Sequence, residues 1–193
     1  LSYMVCLSNC YTLFNGLDKT NAIEDESFKT AEKICEEGLR GVMKYISNFQ
    51  TQSDEINAKV ISLASEFLKI MSRIAQLRGQ FQKAVSLQNR VLDILNAQPK
   101  KQYSFGTACA QCDLAGGLYE ARQVLQALPL AQEGIDTLKK LKRHQDPLVS
   151  PYWRILGSLK RDAAQYKEAR DCFIAAVDIM QKCREKLVPR LRI

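Results

Sequence analysis

Apolar residues recur along this chain at every third or fourth position, a spacing that is typical of amphipathic helices. No stretch of useful length alternates apolar and polar residues as a half-buried strand does. The pattern therefore predicts an all-α fold. The predicted helices cover residues 1–17, 28–49, 55–77, 81–95, 103–116, 118–141, 151–162 and 166–187.

The breaks between these helices carry recognisable signals. Residues 18–27 are polar and acidic and predict a loop, with Asp25 or Ser27 as the cap of the following helix. The pair at residues 116–117 is Gly-Gly and predicts a weak helix end. Pro129 falls inside a helical pattern, so we expect it to kink or restart that helix.

Three of the predicted turns have the same sequence pattern. Each has Gln in its second position, an apolar residue in the third and Ala in the sixth, and these alanines are Ala84, Ala127 and Ala169. The two steps between them are nearly equal, at about 42 residues each, and a nearly constant step over three units indicates a helical repeat.

The last of these units has the most distinctive order of small and large residues. Small residues, expected where its two helices approach each other, alternate with large ones that are expected to fill the gap between the helices. The small residues are Gly157, Ala169 and Ala176, and the large ones are Trp153, Tyr166 and Phe173; the apolar Leu156 precedes Gly157.

This order resembles the tetratricopeptide repeat (TPR), a helix-turn-helix unit of about 34 residues. The longer step is similar to the extended units of kinesin light chains. The resemblance implies a right-handed α-solenoid of antiparallel hairpins that forms a single domain over residues 1–193. Because the sequence begins without an initiator Met, we expect a segment of a larger protein. Within the domain we expect a divergent helical pair at 1–54, repeat units at 55–98, 102–144 and 150–187, and a basic tail at 188–193. The match is looser in the first two units, where a generic helical array, as in lid subunits of proteasome-like assemblies, is the alternative.

In TPR arrays the first helix of each unit lines a concave groove that holds a peptide or a partner helix. The resemblance places Cys112, Glu66 and the following residues there: Lys69, Arg73, Gln76, Tyr119, Arg154, Ser158 and Arg161. Four of them are cations, and arginine offers two hydrogen bonds to a carboxylate. The expected function is therefore a scaffold or adaptor that binds an acidic peptide or helix within a larger complex.

The charge of the chain leaves a second function open. The formal net charge is +7, and it divides into −4 over residues 1–57 and +11 over residues 58–193. A basic surface attracts acidic partners, so a helical array that binds nucleic acid or phosphate groups is the alternative. The expected contacts for it are the basic runs at residues 139–143 and 184–192.

Other functions have little support in the sequence. One Cys-x-x-C pair, Cys109 and Cys112, and a single histidine do not make a four-ligand zinc site, so no metal or other cofactor is expected. No phosphate-binding loop or nucleophile motif occurs, and we expect no enzyme activity. Seven cysteines in helical patterns favour a reducing intracellular compartment, cytoplasm or nucleus. No apolar run suits a membrane helix. The apolar residues 1–14 are expected to need cover, either from later helices of the chain or from a partner or a neighbouring domain.

Overall fold

The computed structural model describes residues 23–48, 54–97 and 104–187, and within these ranges the chain is helical and contains no strand. The all-α prediction is confirmed. The helices are α1 (Ile23–Asn48), α2 (Asp54–Leu77), α3 (Phe81–Asn96), α4 (Phe105–Glu120), α5 (Val124–Lys140), α6 (Ser150–Asp162) and α7 (Tyr166–Leu187), with a 3-10 turn at Pro147–Val149 before α6. The helix predicted at residues 1–17 and the basic tail lie outside the described residues. The chain divides into two compact units, Leu1–Ala97 and Gln98–Ile193.

In the first unit, α2 and α3 form a hairpin and α1 packs against α2. The apolar stripe of α1 places Ala31, Cys35 and Val42 in the core. The ring of Phe67, which is fully buried on α2, lies directly against Gly38 of α1. Because glycine has no side chain, the ring can lie close to the backbone of α1, and this contact joins the helix to the hairpin.

An ion-pair cluster connects α1 to the turn of the same hairpin. Glu32 of α1 binds Arg78 at 2.9 Å and also binds Lys83 at the start of α3. The side chains of Glu32 and Arg78 are only 17% and 21% exposed. The carboxylate therefore holds the turn against α1 from a position that is partly shielded from water.

The second unit consists of two hairpins, α4–α5 and α6–α7, and α6 packs against both helices of the first one. Ile155 of α6 lies against Gly116 of α4, and Tyr152 of α6 hydrogen-bonds to Asp113 of α4. The two pairs have the same sequence separation, and their positions rise together along the two helices. Helices α4 and α6 therefore run parallel, and α5 and α7 run antiparallel to them.

The three hairpins turn in the same way. Gly79, Arg122 and Ala164 have φ angles of 71°, 63° and 60°, in the left-handed region. In each turn the next residue, a glutamine, donates its backbone N–H to the carbonyl five residues earlier, at 2.8 Å. This is the hydrogen-bond pattern of a Schellman helix end. The turns recur at the nearly constant step of the repeated alanines, so the sequence pattern in the turns has a structural counterpart.

The start of α1 corrects one predicted boundary. The helix begins at Ile23, so the predicted loop at residues 18–27 was too long at its C-terminal end, and Asp25 and Ser27 lie inside the helix rather than at its cap.

The Gly-Gly pair and Pro129 also behave differently from the prediction. Helix α4 continues through Gly116 and Gly117 to Glu120, because tertiary contacts such as Ile155 on Gly116 outweigh the low helix propensity of glycine. Helix α5 passes through Pro129 without a break. The carbonyl that Pro129 leaves without a helical donor belongs to Leu125, a residue that is 92% exposed, so water can bind it.

The large residues of the last unit are placed in three different ways. The ring of Phe173 lies against Gly157, inside the α6–α7 hairpin. Trp153 donates its indole N–H to the carbonyl of His144 at 3.1 Å, in the connection before α6. Tyr166 does not fill the gap between the two helices: it is 69% exposed at the first position of α7, where α6 does not cover it. That prediction was wrong for Tyr166.

Candidate protein-interaction surfaces

In the first unit the predicted site residues lie along one side of α2. Lys69 pairs with Glu66 at 2.9 Å, and both side chains are about one third exposed, at 32% and 35%. Arg73 donates a hydrogen bond to the side-chain oxygen of Gln76 at 3.3 Å. The residues come together as helical neighbours three positions apart. Lys69 is therefore already partly neutralised within the protein, which the sequence pattern did not indicate.

In the second unit, three of the predicted residues share one face of α6. Arg154, Ser158 and Arg161 are spaced by four and three positions, and each is exposed or partly exposed. Arg154 makes no hydrogen bond or ion pair with any residue in the described part of the chain. Its guanidinium group is therefore available to an external carboxylate.

Arg161 connects this face to α4. It donates a hydrogen bond to the hydroxyl oxygen of Tyr119 at 3.2 Å and pairs with Asp162 at 2.9 Å. The hydrogen bond from Arg161 lowers the pKa of the Asp162 carboxyl, and the bond to Asp162 raises the pKa of the guanidinium. The structure thus brings together two predicted site residues, Tyr119 and Arg161, that are 42 positions apart.

Cys112 does not belong to the exposed face, in contrast to the expectation. It is 1% exposed because its sulfur lies against Gly134 of α5. Burial, followed by the nearby Asp113 and Cys109, raises the pKa of the Cys112 thiol. The thiol therefore stays protonated, which makes it a poor nucleophile and a poor metal ligand.

The comparisons with known proteins support the fold. No family model and no curated protein matches the chain. Among solved structures, BtubC (BKLC) from P. vanneervenii is similar with a TM-score of 0.63 and 20% identity, over 82% of this chain and 57% of that one. The apo form of RapI is similar with a TM-score of 0.65 and 16% identity, over 98% and 60%.

A third similar structure is a putative kinesin light chain from Podosopora anserina with nearly identical TPR-like repeats. The TM-score is 0.53 at 16% identity, and the match covers 92% of this chain and 95% of that one. The fold is a TPR-like helical repeat. At these identities the likeness is one of fold, and the chain spans less than two thirds of BtubC and RapI.

In a TPR-like fold, each hairpin consists of a first helix and a second helix. The first helices of the three hairpins are α2, α4 and α6, and the second helices are α3, α5 and α7. All nine predicted site residues lie on first helices. The second unit brings together those on α4 and α6, whereas those on α2 belong to the first unit.

The basic run at residues 139–143 is less available than its sequence indicates. Lys139 pairs with Asp136 at 3.1 Å and lies 5.3 Å from the centre of the Trp153 ring. Arg143 pairs with Asp146 at 2.7 Å and lies 4.2 Å from the Phe105 ring. These contacts within the TPR-like repeat leave fewer cations for phosphate groups.

Two surface depressions of the second unit were missed from the sequence. One, of about 320 Å³, is lined by Lys139, Trp153, Lys160 and the acidic residues Glu168 and Asp171, together with apolar atoms. The other, of about 520 Å³, lies mainly along α7. The sequence feature that could have indicated this second depression is a second apolar stripe on α7, beside the stripe that faces α6.

The described helices carry neither a metal-binding cluster nor a membrane span. Within residues 23–48, 54–97 and 104–187, no three His, Cys, Asp or Glu side chains are placed to hold a metal ion. None of the helices in those ranges has an apolar stretch of the length and purity that a bilayer crossing needs.

Proposed function

We propose that this chain is a non-enzymatic, intracellular protein-interaction scaffold that binds an acidic peptide or helix on the exposed faces of its first helices. The TPR-like fold supports a binding role, because exposed first-helix faces are regular surfaces that a peptide can follow. The positive charge of these faces supports an acidic ligand.

The observation that carries the proposal is the row of polar groups on α6 beside Tyr119. Arg154 offers a guanidinium without a partner in the described residues, and Ser158 offers a hydroxyl group one turn later. Arg161 follows after another turn, where it is already paired with Asp162. The hydrogen bond from Arg161 to Tyr119 holds that guanidinium at the α4–α6 boundary. Two cations seven positions apart are about 10 Å apart along a helix, which matches carboxylates spread over an extended tripeptide or two helical turns.

The face of α2 provides a second basic surface in the first unit. Lys69 is paired with Glu66 there, so a ligand carboxylate has to replace an existing ion pair rather than meet a free cation. Exposed ion pairs contribute only about 0–1 kcal/mol. We therefore expect Arg154 to contribute more to affinity than Lys69.

The test compares two double variants of the full chain with the same change in net charge. Arg154→Glu/Arg161→Glu reverses the proposed face, and Lys167→Glu/Lys182→Glu reverses two exposed lysines of α7. The probes are fluorescein-labelled 15-residue peptides from a library rich in Glu and Asp, and binding is measured by anisotropy. We expect at least a tenfold loss of affinity, about 1.4 kcal/mol, for the first variant and less than a twofold change for the second.

Equal losses in both variants would show non-specific charge attraction and remove the proposed face. Binding that is unchanged in the first variant would do the same. A 20-base-pair DNA duplex in the same assay tests the nucleic-acid alternative, because phosphate-driven binding weakens steeply with salt. Tight duplex binding that is lost with Lys140→Glu/Lys142→Glu, together with no peptide binding, would favour that alternative.

A further inference from the structure

Helix α7 carries an apolar surface that nothing in the described part of the chain covers. Ile174 and Val177 are 50% and 53% exposed, and Tyr166 is 69% exposed. These residues line the depression of about 520 Å³, with Arg161, Arg170 and Asp178 among its other lining residues. Exposed apolar side chains that lie together in one depression form a candidate surface for binding.

The repeat shows what covers the same positions one hairpin earlier. Aligning the turn residues Arg122 and Ala164 places Val177 of α7 at the position of Ile135 of α5. Ile135 is 0% exposed. Helix α6 packs against α5, and Trp153 of α6 lies over Lys139, one turn beyond Ile135 on the same face. The equivalent surface of α5 is thus covered by the first helix of the following hairpin.

We infer that α7 binds an amphipathic α-helix of a partner protein, in the position relative to α6–α7 that α6 takes relative to α4–α5. This surface shares Arg161 with the basic face of α6 but lies otherwise on α7, so the inference goes beyond the scaffold function proposed above. The partner helix packs over Ile174 and Val177 and also covers Tyr166. This arrangement explains why Tyr166 is exposed: its ring faces the bound helix and does not lie inside the α6–α7 hairpin.

The repeat defines the direction of the bound helix, and the charges around the depression agree with it. Since α6 runs parallel to α4, the partner helix runs parallel to α6 and antiparallel to α7. Its C-terminal end then lies near Arg161 and Arg170, and its N-terminal end lies toward Asp178. Cations stabilise the negative end of a helix dipole and anions the positive end. Arg161 and Arg170 are also paired with Asp162 and Asp171, but exposed pairs of this kind are weak, so both ends of the bound helix are complementary in this direction.

This geometry also defines the chemistry of the partner helix. It needs about three turns to follow α7 from Tyr166 to beyond Val177, since a helix rises 1.5 Å per residue. It needs an apolar stripe at positions i, i+3, i+4 and i+7 to face the two aliphatic side chains. Acidic residues in its last turn would meet Arg161 and Arg170.

The experiment uses three synthetic 17-residue peptides of the same composition and the full chain. The first has a leucine stripe with Glu in its last turn and Lys in its first turn, the second exchanges the Glu and Lys positions, and the third scrambles the stripe. Each is labelled with fluorescein and titrated by anisotropy. We expect saturable binding of the first peptide, at least fivefold weaker binding of the second, and none of the third.

The protein variants separate this surface from the others. Ile174→Lys/Val177→Lys should weaken binding of the first peptide at least tenfold, and the milder Ile174→Ala/Val177→Ala about threefold or more. Leu125→Lys changes an apolar side chain that is 92% exposed on α5, and it should leave binding unchanged.

Three outcomes would overturn the inference. Equal binding to wild type and to the alanine variant, with circular dichroism showing that both are folded, would remove α7 as the docking surface. Equal binding of the scrambled peptide would show non-specific adhesion. A dimer detected by sedimentation in wild type and lost in Ile174→Lys/Val177→Lys would mean that the occupant is a second copy of this chain.

Discussion

At the scale of single residues, small side chains decide where the helices can approach each other. Gly134 of α5 faces α4 so closely that a Cβ atom there would lie 2.5 Å from the sulfur of Cys112 and 3.0 Å from the carbonyl oxygen of Ala108. A backbone atom cannot move away as a flexible side chain can. The α4–α5 hairpin therefore depends on glycine at this position.

We expect Gly134→Ala to destabilise the protein by about 1–3 kcal/mol, because the added methyl group overpacks a buried contact. The matched control is Gly106→Ala, at the partly exposed start of α4, where the nearest atom to an added Cβ is 3.7 Å away. The control should change stability by less than about 0.5 kcal/mol, since propensity effects are small near a helix end. Urea denaturation followed by circular dichroism measures both, and equal midpoints would contradict the role of this contact.

Residue types in the sequence indicated some of this packing but not all of it. Ala84, Ala127 and Ala169 recur in the turn pattern, and they are 0%, 0% and 3% exposed. The close approach at Gly134 could not be read from the sequence, because it depends on which residue of another helix lies opposite. The same reason explains Cys112, whose place in the hairpin contact is set by α5 rather than by its own helix.

At the scale of secondary-structure elements, the hairpin turns place different residues in the same strained conformation. The first turn has Gly79 at φ 71°, whereas the other two have Arg122 at 63° and Ala164 at 60°. A residue with a side chain pays about 1 kcal/mol for this left-handed conformation, and glycine does not. The later turns thus keep the geometry of the first at some loss of stability.

We expect Ala164→Gly to stabilise the protein by about 0.5–1 kcal/mol, because it removes this strain from the α6–α7 turn. The control is Ala163→Gly, one residue earlier, where φ is −86°. Glycine has no advantage there and should destabilise by up to about 1 kcal/mol. Thermal and urea unfolding of both variants give the comparison, and a loss of stability in Ala164→Gly would show that the left-handed turn is not strained.

The helix boundaries show the limit of local signals. The turn at Arg122 has no glycine, so its sequence is a weaker stop signal than the Gly-Gly pair, which lies inside α4. The turn at Arg122 was located by comparing it with the other two turns, because the same sequence pattern recurs in all three. Pro129 shows the converse: a strong local signal had little effect at an exposed position of α5.

At the scale of the whole molecule, helical spacing was enough to predict the all-α fold, and the repeated turns with the order of small and large residues led to the resemblance to TPR units. Helical spacing could not show which apolar residues another hairpin covers. Val177 and Ile135 are both aliphatic at equivalent positions, but one is half exposed and the other is buried. The prediction of the candidate site had the same limit. The ion-pair and hydrogen-bond partners of Lys69 and Arg161 depend on rotamers and neighbouring helices rather than on sequence spacing.

The division into two units leads to a prediction about folding. Residues Gln98–Ile193 contain two complete hairpins, and their core residues include Ile135, Leu138, Leu156 and Leu159, each at most 1% exposed. The contact of Trp153 with His144 also lies within this unit. In helical repeats each hairpin is stabilised mainly by its neighbours, so a unit with two hairpins and its own core can fold alone.

We therefore expect a fragment of residues 98–193 to be helical and to unfold cooperatively in urea. The dependence of its unfolding free energy on urea should be about half that of the full chain, because this quantity scales with the surface exposed on unfolding. Fragment 98–145, which keeps the α4–α5 hairpin without α6, is the control and should lose cooperativity. If the longer fragment also unfolded gradually, the core of the second unit would require residues of the first unit to fold.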